Sequence, residues 1–185
     1  MSFVYDIPQS GGPLQQGELL DDLWEHLPEC PPSRCDGIIT FESVYHQRAV
    51  VMSPACDLAQ DFIARTKDGE VLETGRILPL VLLCDTFEGM PLREKRKLNS
   101  TLWKRVEQNQ DVRYHHLRSG RIGNTGPVLG DLYFDFSRIL TISPLRLYEA
   151  LDQKTVGRIA VVPAIHIHDL VQRFYAFWSR IGTPD

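Results

Sequence analysis

The sequence lacks long apolar runs and an excess of basic charge and has little cysteine, and each of these absences removes a class of protein. No stretch reaches the ~18 to 20 uninterrupted apolar residues that a membrane-spanning helix needs. The longest run, Ile77-Leu78-Pro79-Leu80-Val81-Leu82-Leu83-Cys84, has the size of one strand. The opening residues Met1 to Asp6 carry neither the basic region nor the apolar core of a secretory signal, so the expected compartment is the cytoplasm, off the membrane. A net charge of -4 argues against a strongly basic nucleic-acid surface, while a local basic patch stays open because binding follows the distribution of charge. Four cysteines fit a reducing compartment. Cys56 and Cys84 sit in or beside apolar strands, where a free thiol behaves as a small hydrophobe. Cys30 and Cys35 lie in a proline-rich loop after His26; their spacing is looser than a zinc knuckle and no second pair follows, so neither metal nor cofactor is expected. The glycine-rich segment Gly120 to Gly130 lacks the Lys-Ser/Thr of a P-loop.

What is present suffices for one core: 185 residues, 43% hydrophobic and 24% charged. Residues 1–16, rich in Gly, Pro, Gln and Ser, are expected to form a flexible arm ahead of a single α+β domain over 17–185. Gln16 to Leu23 suits a strand or a first helical turn. Gly37 to His46 and Arg48 to Met52 read as two strands of a hairpin, and Arg76 to Cys84 as a third strand despite Pro79. Leu58 to Ala64 is compatible with a strand or a helical turn. A basic amphipathic helix is predicted over about 92–107, with Leu98, Leu102 and Val106 inward, a helix over about 144–152 that starts at Ser143-Pro144, and a C-terminal amphipathic helix over about 165–181. Tyr114 to Leu117 and the alternating Leu132 to Phe136 read as strands.

Several clusters carry potential chemistry. The run Arg48-Ala49-Val50-Val51-Met52-Ser53-Pro54-Ala55-Cys56-Asp57 brings a hydroxyl, a thiol and a carboxylate to the end of an apolar strand, where a site is often built. Cys56 as nucleophile needs a base such as His115 or His116, and Asp57 beside it would raise the thiol pKa, so a strand-end thiol is the competing reading. Arg113-Tyr114-His115-His116 offers a histidine to one face of a strand, although an unassigned histidine more often serves packing. His166 and His168, two apart on a helix, make a poor metal pair. Arg93, Lys95, Arg96, Lys97 and Lys104 form a cationic face able to contact phosphates, with a plain solvated helix face as the alternative. Phe174, Tyr175, Phe177 and Trp178 put apolar bulk on more than one face of the last helix, which points to a protein partner.

Gly17-Glu18-Leu19-Leu20, followed by His46-Gln47-Arg48-Ala49-Val50-Val51-Met52-Ser53-Pro54, resembles the MazF/PemK-type bacterial toxins over Gly17 to Asp85. The resemblance implies an SH3-like β-barrel core, over about 17–90 and 110–142, with helical insertions and the C-terminal amphipathic helix. It also implies metal-independent cleavage of single-stranded RNA by Arg48 with Ser53 or with the Arg113 to His116 segment. Two departures bear on that activity. Arg48 stands where the family has proline, and Pro79 to Cys84 lacks the family's hydroxyl, so a cation is present without its partner. The whole pattern further resembles uncharacterised bacterial defence-associated proteins, through Gly17-Glu18, Ser53 to Asp57, Arg113 to His115 and Arg180 to Pro184. The expectation is therefore a non-enzymatic interaction subunit of a phage-defence or toxin-antitoxin-like complex, its protein partner encoded by a neighbouring gene and nucleic acid admitted as a second partner. An endoribonuclease is the alternative.

Overall fold

The computed structural model describes residues 3–28, 41–66 and 77–180. Along the chain, its strands are β1 (Phe3–Tyr5), β2 (Glu18–Pro28), β3 (Phe41–Val51), β4 (Val81–Glu88), β5 (Tyr114–Leu117), β6 (Gly120–Ile122), β7 (Val128–Leu129), β8 (Leu132–Ile142) and β9 (Gly157–Val161). The helices are α1 (Ala55–Thr66), α2 (Gly89–Lys95), α3 (Ser100–Glu107), α4 (Pro144–Asp152) and α5 (Ala164–Ser179). Strands β5-β8-β4-β3-β2-β9 form a six-stranded antiparallel sheet, and β1-β6-β7 a three-stranded one in which β1 runs parallel to β6.

Both faces of the large sheet are covered, and alternation along the strands sorts its side chains. Leu19, Val50, Met52, Cys84, Phe134 and Phe136 pack with Tyr5 of β1 and with Leu170 and Phe174 of α5. Leu20, Ala49, Val51, Val81, Leu83 and Leu140 point the other way, against Leu58 of α1 and Leu147 of α4. Burial on both faces explains why Ala49 to Met52 and Val81 to Cys84 read as continuous apolar runs. Each fully buried Leu or Phe contributes about 1.5 to 3 kcal/mol relative to exposure. A third cluster, Leu92, Trp103, Val106, Tyr114 and Tyr133, fixes α2 and α3 against β5 and β8.

The α+β class is as expected, but the SH3-like barrel is not formed. Among the described residues neither sheet closes: the large one ends at β5 and β9, the small one at β1 and β7. Among the described residues the two are joined by a single bridge, Asp6 to Val161. The physical reason lies in the covering. With α5 and the small sheet on one face and α1 and α4 on the other, the apolar surface is buried without the sheet curling onto itself.

Local differences have local causes. The basic helix is interrupted, because Lys97 takes a φ of 51° and Asn99 caps α3 by accepting from the Leu102 amide. Trp103 turns inward there, and Leu102 is exposed. The two strands expected over 37–52 are, where described, one eleven-residue strand, β3, paired along β2. Leu58 to Ala64 lies in α1, where Asp61 and Arg65 pair one turn apart. Pro79 falls outside β4, so it removes no hydrogen bond from the strand's pairing with β3 and β8. Ahead of Gly17, Leu14 joins the core, and Arg158 donates to the Gly12 and Pro13 carbonyls.

Candidate functional site

A belt of buried charge crosses the large sheet. It begins with a break in register: between Cys84↔Ile139 and Thr86↔Phe134, the four residues Asp135 to Arg138 of β8 stand opposite Asp85 alone. A bulge of this kind re-aims side chains and is often found beside functional sites. Asp85, almost fully buried, receives Arg138 Nε at 2.5 Å on one oxygen and faces His46 Nδ1 at 2.6 Å on the other. His46 Nε2 in turn lies 3.3 Å from Glu25. Burial opposes a charged ring, but the hydrogen bonds and charges of Asp85 and Glu25 outweigh it and raise the His46 pKa. On the far side of the bulge, Asp135 is fully buried and accepts from Arg96, Arg113 and both the amide and hydroxyl of Ser137. Burial pushes its carboxyl up, and Ser137, Arg113 and Arg96 more than reverse that, leaving it below the ordinary value. The same burial, with Asp135 and Asp85 nearby, raises the Cys84 thiol far above its usual pKa and keeps it neutral.

The belt anchors a two-stranded ribbon. Strand β9 pairs with β2 only from Glu18 to Asp21, and β4 pairs with β3 only from Ala49 to Val51. Beyond those points, β2 and β3 continue together from Leu23↔His46 to Pro28↔Phe41. Among the described residues no strand pairs with the outer side of β2 over Leu23 to Pro28. The chain that would have continued β9, at Thr155 and Val156, veers off. It leaves a groove of ≈450 Å³ between β2 and α4, whose apolar lining includes Leu23, Leu27, Ile142, Leu147 and Val156. Trp24 and Tyr45 stand as a cross-strand aromatic pair with centroids 5.1 Å apart, and the Tyr45 hydroxyl donates to Asp22 at 2.6 Å. Exposure is 55% for Trp24, 57% for Phe41, 47% for Tyr45 and 41% for Leu27, a concentration of apolar surface on one ribbon.

The residues singled out from the sequence are dispersed. Arg48 makes a two-pronged pair with Asp21 at 2.6 and 2.7 Å and lies 3.8 Å from Glu88. The Ser53 hydroxyl accepts from the Leu82 amide and so extends the pairing of β3 with β4. Cys56 is exposed in the first turn of α1, its thiol 3.4 Å from Asp57, whose charge complements the helix N-terminus. His115 is 1% exposed, and neither ring nitrogen has a hydrogen-bond partner. It lines a separate cavity of ≈860 Å³. Among the described residues no hydrogen bond or ion pair joins Arg48, Ser53, Cys56 and His115 to one another.

The cations of α2 and α3 are partly committed. Arg96 serves Asp135, Arg93 donates to the Leu98 carbonyl and the Ser100 hydroxyl, and Lys95 sits 5.1 Å over the Phe87 ring. Lys97 and Lys104 are exposed. On α5, Phe174 is buried, Phe177 and Trp178 pack against the core, and Trp178 Nε1 donates to the Phe136 carbonyl, which leaves Tyr175 facing outward. Cys30 and Cys35 lie outside the described residues. Among the described residues no group of three or more His, Cys, Asp or Glu side chains is arranged to hold a metal ion. No described helix is long and apolar enough to cross a membrane.

His46, Asp85, Asp135 and Arg138 did not stand out in the sequence. The available signal was charge inside apolar strands, as in Leu83-Cys84-Asp85 and Phe134-Asp135-Phe136. Compared with known proteins, the chain matches no family model, no curated protein and no solved structure.

Proposed function

We propose that this protein is a non-enzymatic interaction subunit that holds an extended segment of a partner chain along the outer side of β2. The observation that carries the proposal is the edge itself. From Leu23 to Pro28 the backbone of β2 offers ladder positions that β9 leaves vacant, and an apolar groove runs beside them. A partner strand continuing the line of β9 would satisfy those amides and carbonyls, while its alternate side chains entered the groove over Leu23, Leu147 and Val156. The partner chemistry is thus a short β-strand with apolar residues at every second position, free of proline over the paired stretch. Trp24 and Tyr45 are the natural energetic anchors, being large, exposed and already ordered against each other. The link from Glu25 through His46 and Asp85 to Arg138 ties the ribbon to the sheet and limits the entropy lost on binding. The resemblance to defence-associated bacterial proteins supports a defence or toxin-antitoxin-like complex as the setting.

The test is to purify the complex from the native host and follow amide hydrogen exchange with and without the partner. Slowed exchange confined to Leu23 to Leu27, with loss of the partner in Trp24→Ala/Tyr45→Ala, supports the reading. Protection elsewhere, with β2 unchanged, overturns it.

A second reading, metal-independent RNA cleavage, is favoured by one arrangement. His46, Arg48 and Lys95 line a cavity of ≈240 Å³, residue types that phosphodiester cleavage uses, although His46 is engaged by Asp85 and Glu25 and Arg48 by Asp21. Discrete fragments from single-stranded RNA in EDTA, absent with Lys95→Met, would establish it. Intact RNA in that assay excludes it.

A further inference from the structure

A second site, independent of the β2 edge, is built where β5, the Arg118-Ser119 connection and the start of α5 meet. We infer that this ≈860 Å³ cavity binds a small phosphomonoester, its phosphate held between His115, Arg118 and the N-terminus of α5.

The first observation is the state of His115. Its ring is 1% exposed, it lies on the cavity wall, and neither nitrogen meets a hydrogen-bonding partner. A buried imidazole normally spends at least one of its two polar atoms on the protein. Asp169 Oδ2 is 3.9 Å from Nδ1, beyond hydrogen-bonding distance. The neighbouring His116 behaves otherwise: its Nδ1 meets the Glu107 carbonyl at 2.9 Å, and its ring stacks on Tyr133 at 4.6 Å.

The second observation is the helix end. Helix α5 is 16 residues long, starts after Pro163, and has neither a side-chain cap nor an acidic residue in its first turn. Its positive end reaches the cavity at Pro163, Ile165 and His166 with no carboxylate in the first turn, Asp169 of the next turn being the acidic group on that wall. Phe3 stacks against His166 at 4.6 Å and fixes that ring on the rim. Arg118 is exposed, with no ion pair among the described residues, and lines the cavity together with Ser119.

Burial first, then the charges of Arg173, His116 and His166, push the His115 pKa down to about 3, so the ring is neutral at pH 7. The nature of the anion follows from the donor set. A neutral imidazole can turn its one N–H toward the cavity, and the Asp169 carboxylate on the same wall can only accept. An oxyanion that accepts from the imidazole at a free oxygen and donates its one hydroxyl proton to Asp169 fits both. A monoanionic phosphate or phosphomonoester does; sulfate and a phosphodiester, which have no proton to give, do not. The cavity is larger than a phosphate alone and leaves room for an organic substituent.

The test titrates inorganic phosphate and sulfate into the full chain by calorimetry and watches the His115 ring nitrogens by NMR. Phosphate is expected to bind, to shift both His115 nitrogen resonances, and to be preferred over sulfate. Arg118→Gln, on the exposed rim, should weaken phosphate by about tenfold or more without altering the fold. Asp169→Asn should let sulfate bind by removing the repelling carboxylate. His115→Gln completes the set, and its folding is checked by thermal unfolding, because the ring stacks near Phe134 and Phe136. No phosphate binding, equal binding of sulfate by the native protein, or phosphate affinity unchanged in Arg118→Gln would overturn the proposal. Tighter binding of an RNA oligonucleotide through these same residues would overturn it as well.

Discussion

Replacing Asp135 by Asn tests whether the charge belt holds the sheet together. The native carboxylate is fully buried and accepts at 2.5 Å from Arg96, 3.1 Å from Arg113, and 3.1 and 2.7 Å from the Ser137 amide and hydroxyl. Removing one member of a buried ion pair costs about 3 to 5 kcal/mol, mostly because the remaining charge is left uncompensated. Here the orphaned arginines are 25% and 37% exposed, so each can turn partly to water, and the expected loss falls at the lower end, about 3 kcal/mol. For a chain of 185 residues that corresponds to a fall in Tm of about 6 to 12 °C. Urea unfolding at neutral pH, followed by near-UV circular dichroism, gives the free energy directly. Ser137→Ala, which removes one hydroxyl donor, should cost about 1 kcal/mol in the same assay. A loss below about 1 kcal/mol for Asp135→Asn would refute the belt as a structural element.

Three further outcomes are expected. Since the folded His115 pKa is about 3 against 6.5 for the free ring, the unfolded chain binds the extra proton between those values and stability falls as pH drops through that window. At pH 5, in phosphate-free buffer, the native protein should lose about 2 kcal/mol more than His115→Gln relative to pH 7. Gly17 has a φ of +85°, and a Cβ there would lie 2.6 Å from Ile167 Cδ1, so Gly17→Ala should cost about 2 kcal/mol or more in thermal unfolding, whereas Gly130→Ala, with open space around it, should be close to neutral. Trp24→Ala/Tyr45→Ala should change stability by less than about 1 kcal/mol, because both side chains are half exposed.

Helices that end in strong local signals were the easiest to read from the sequence. Pro144–Asp152 follows a serine and begins on proline, and Ala164–Ser179 carries apolar residues at three- and four-residue spacing. The same spacing misled about surface. Phe174, Phe177 and Trp178 appear as excess apolar bulk in one dimension, but Phe174 is buried in the core and Phe177 and Trp178 pack against it. The barrel expectation failed because a strand that is apolar on both faces looks alike in a closed sheet and in an open sheet covered by helices. The buried charges were hidden for a different reason: Asp85 and Asp135 become partners of His46 and of Arg96 and Arg113 only through a four-residue bulge that no local pattern announces. Glu18, next to the glycine that marks the start of β2, was visible as a motif, but its partner Arg158 lies far along the chain. The groove beside β2 exists because β9 departs early, and neither strand encodes that alone.

The position of β2 also governs when the protein can become a protein. One of its neighbours, β3, follows soon after it in the chain, but the other, β9, arrives near residue 158, and Gly17 packs against α5, which comes later still. Strand β1 waits in the same way for β6. So many distant pairings give a high contact order, and closing such loops costs entropy before any burial repays it. A nascent chain that has released α4 but not β9 and α5 therefore carries an unfinished core with Leu19 and Phe136 uncovered. Uncovered apolar surface of that kind favours aggregation in the interval.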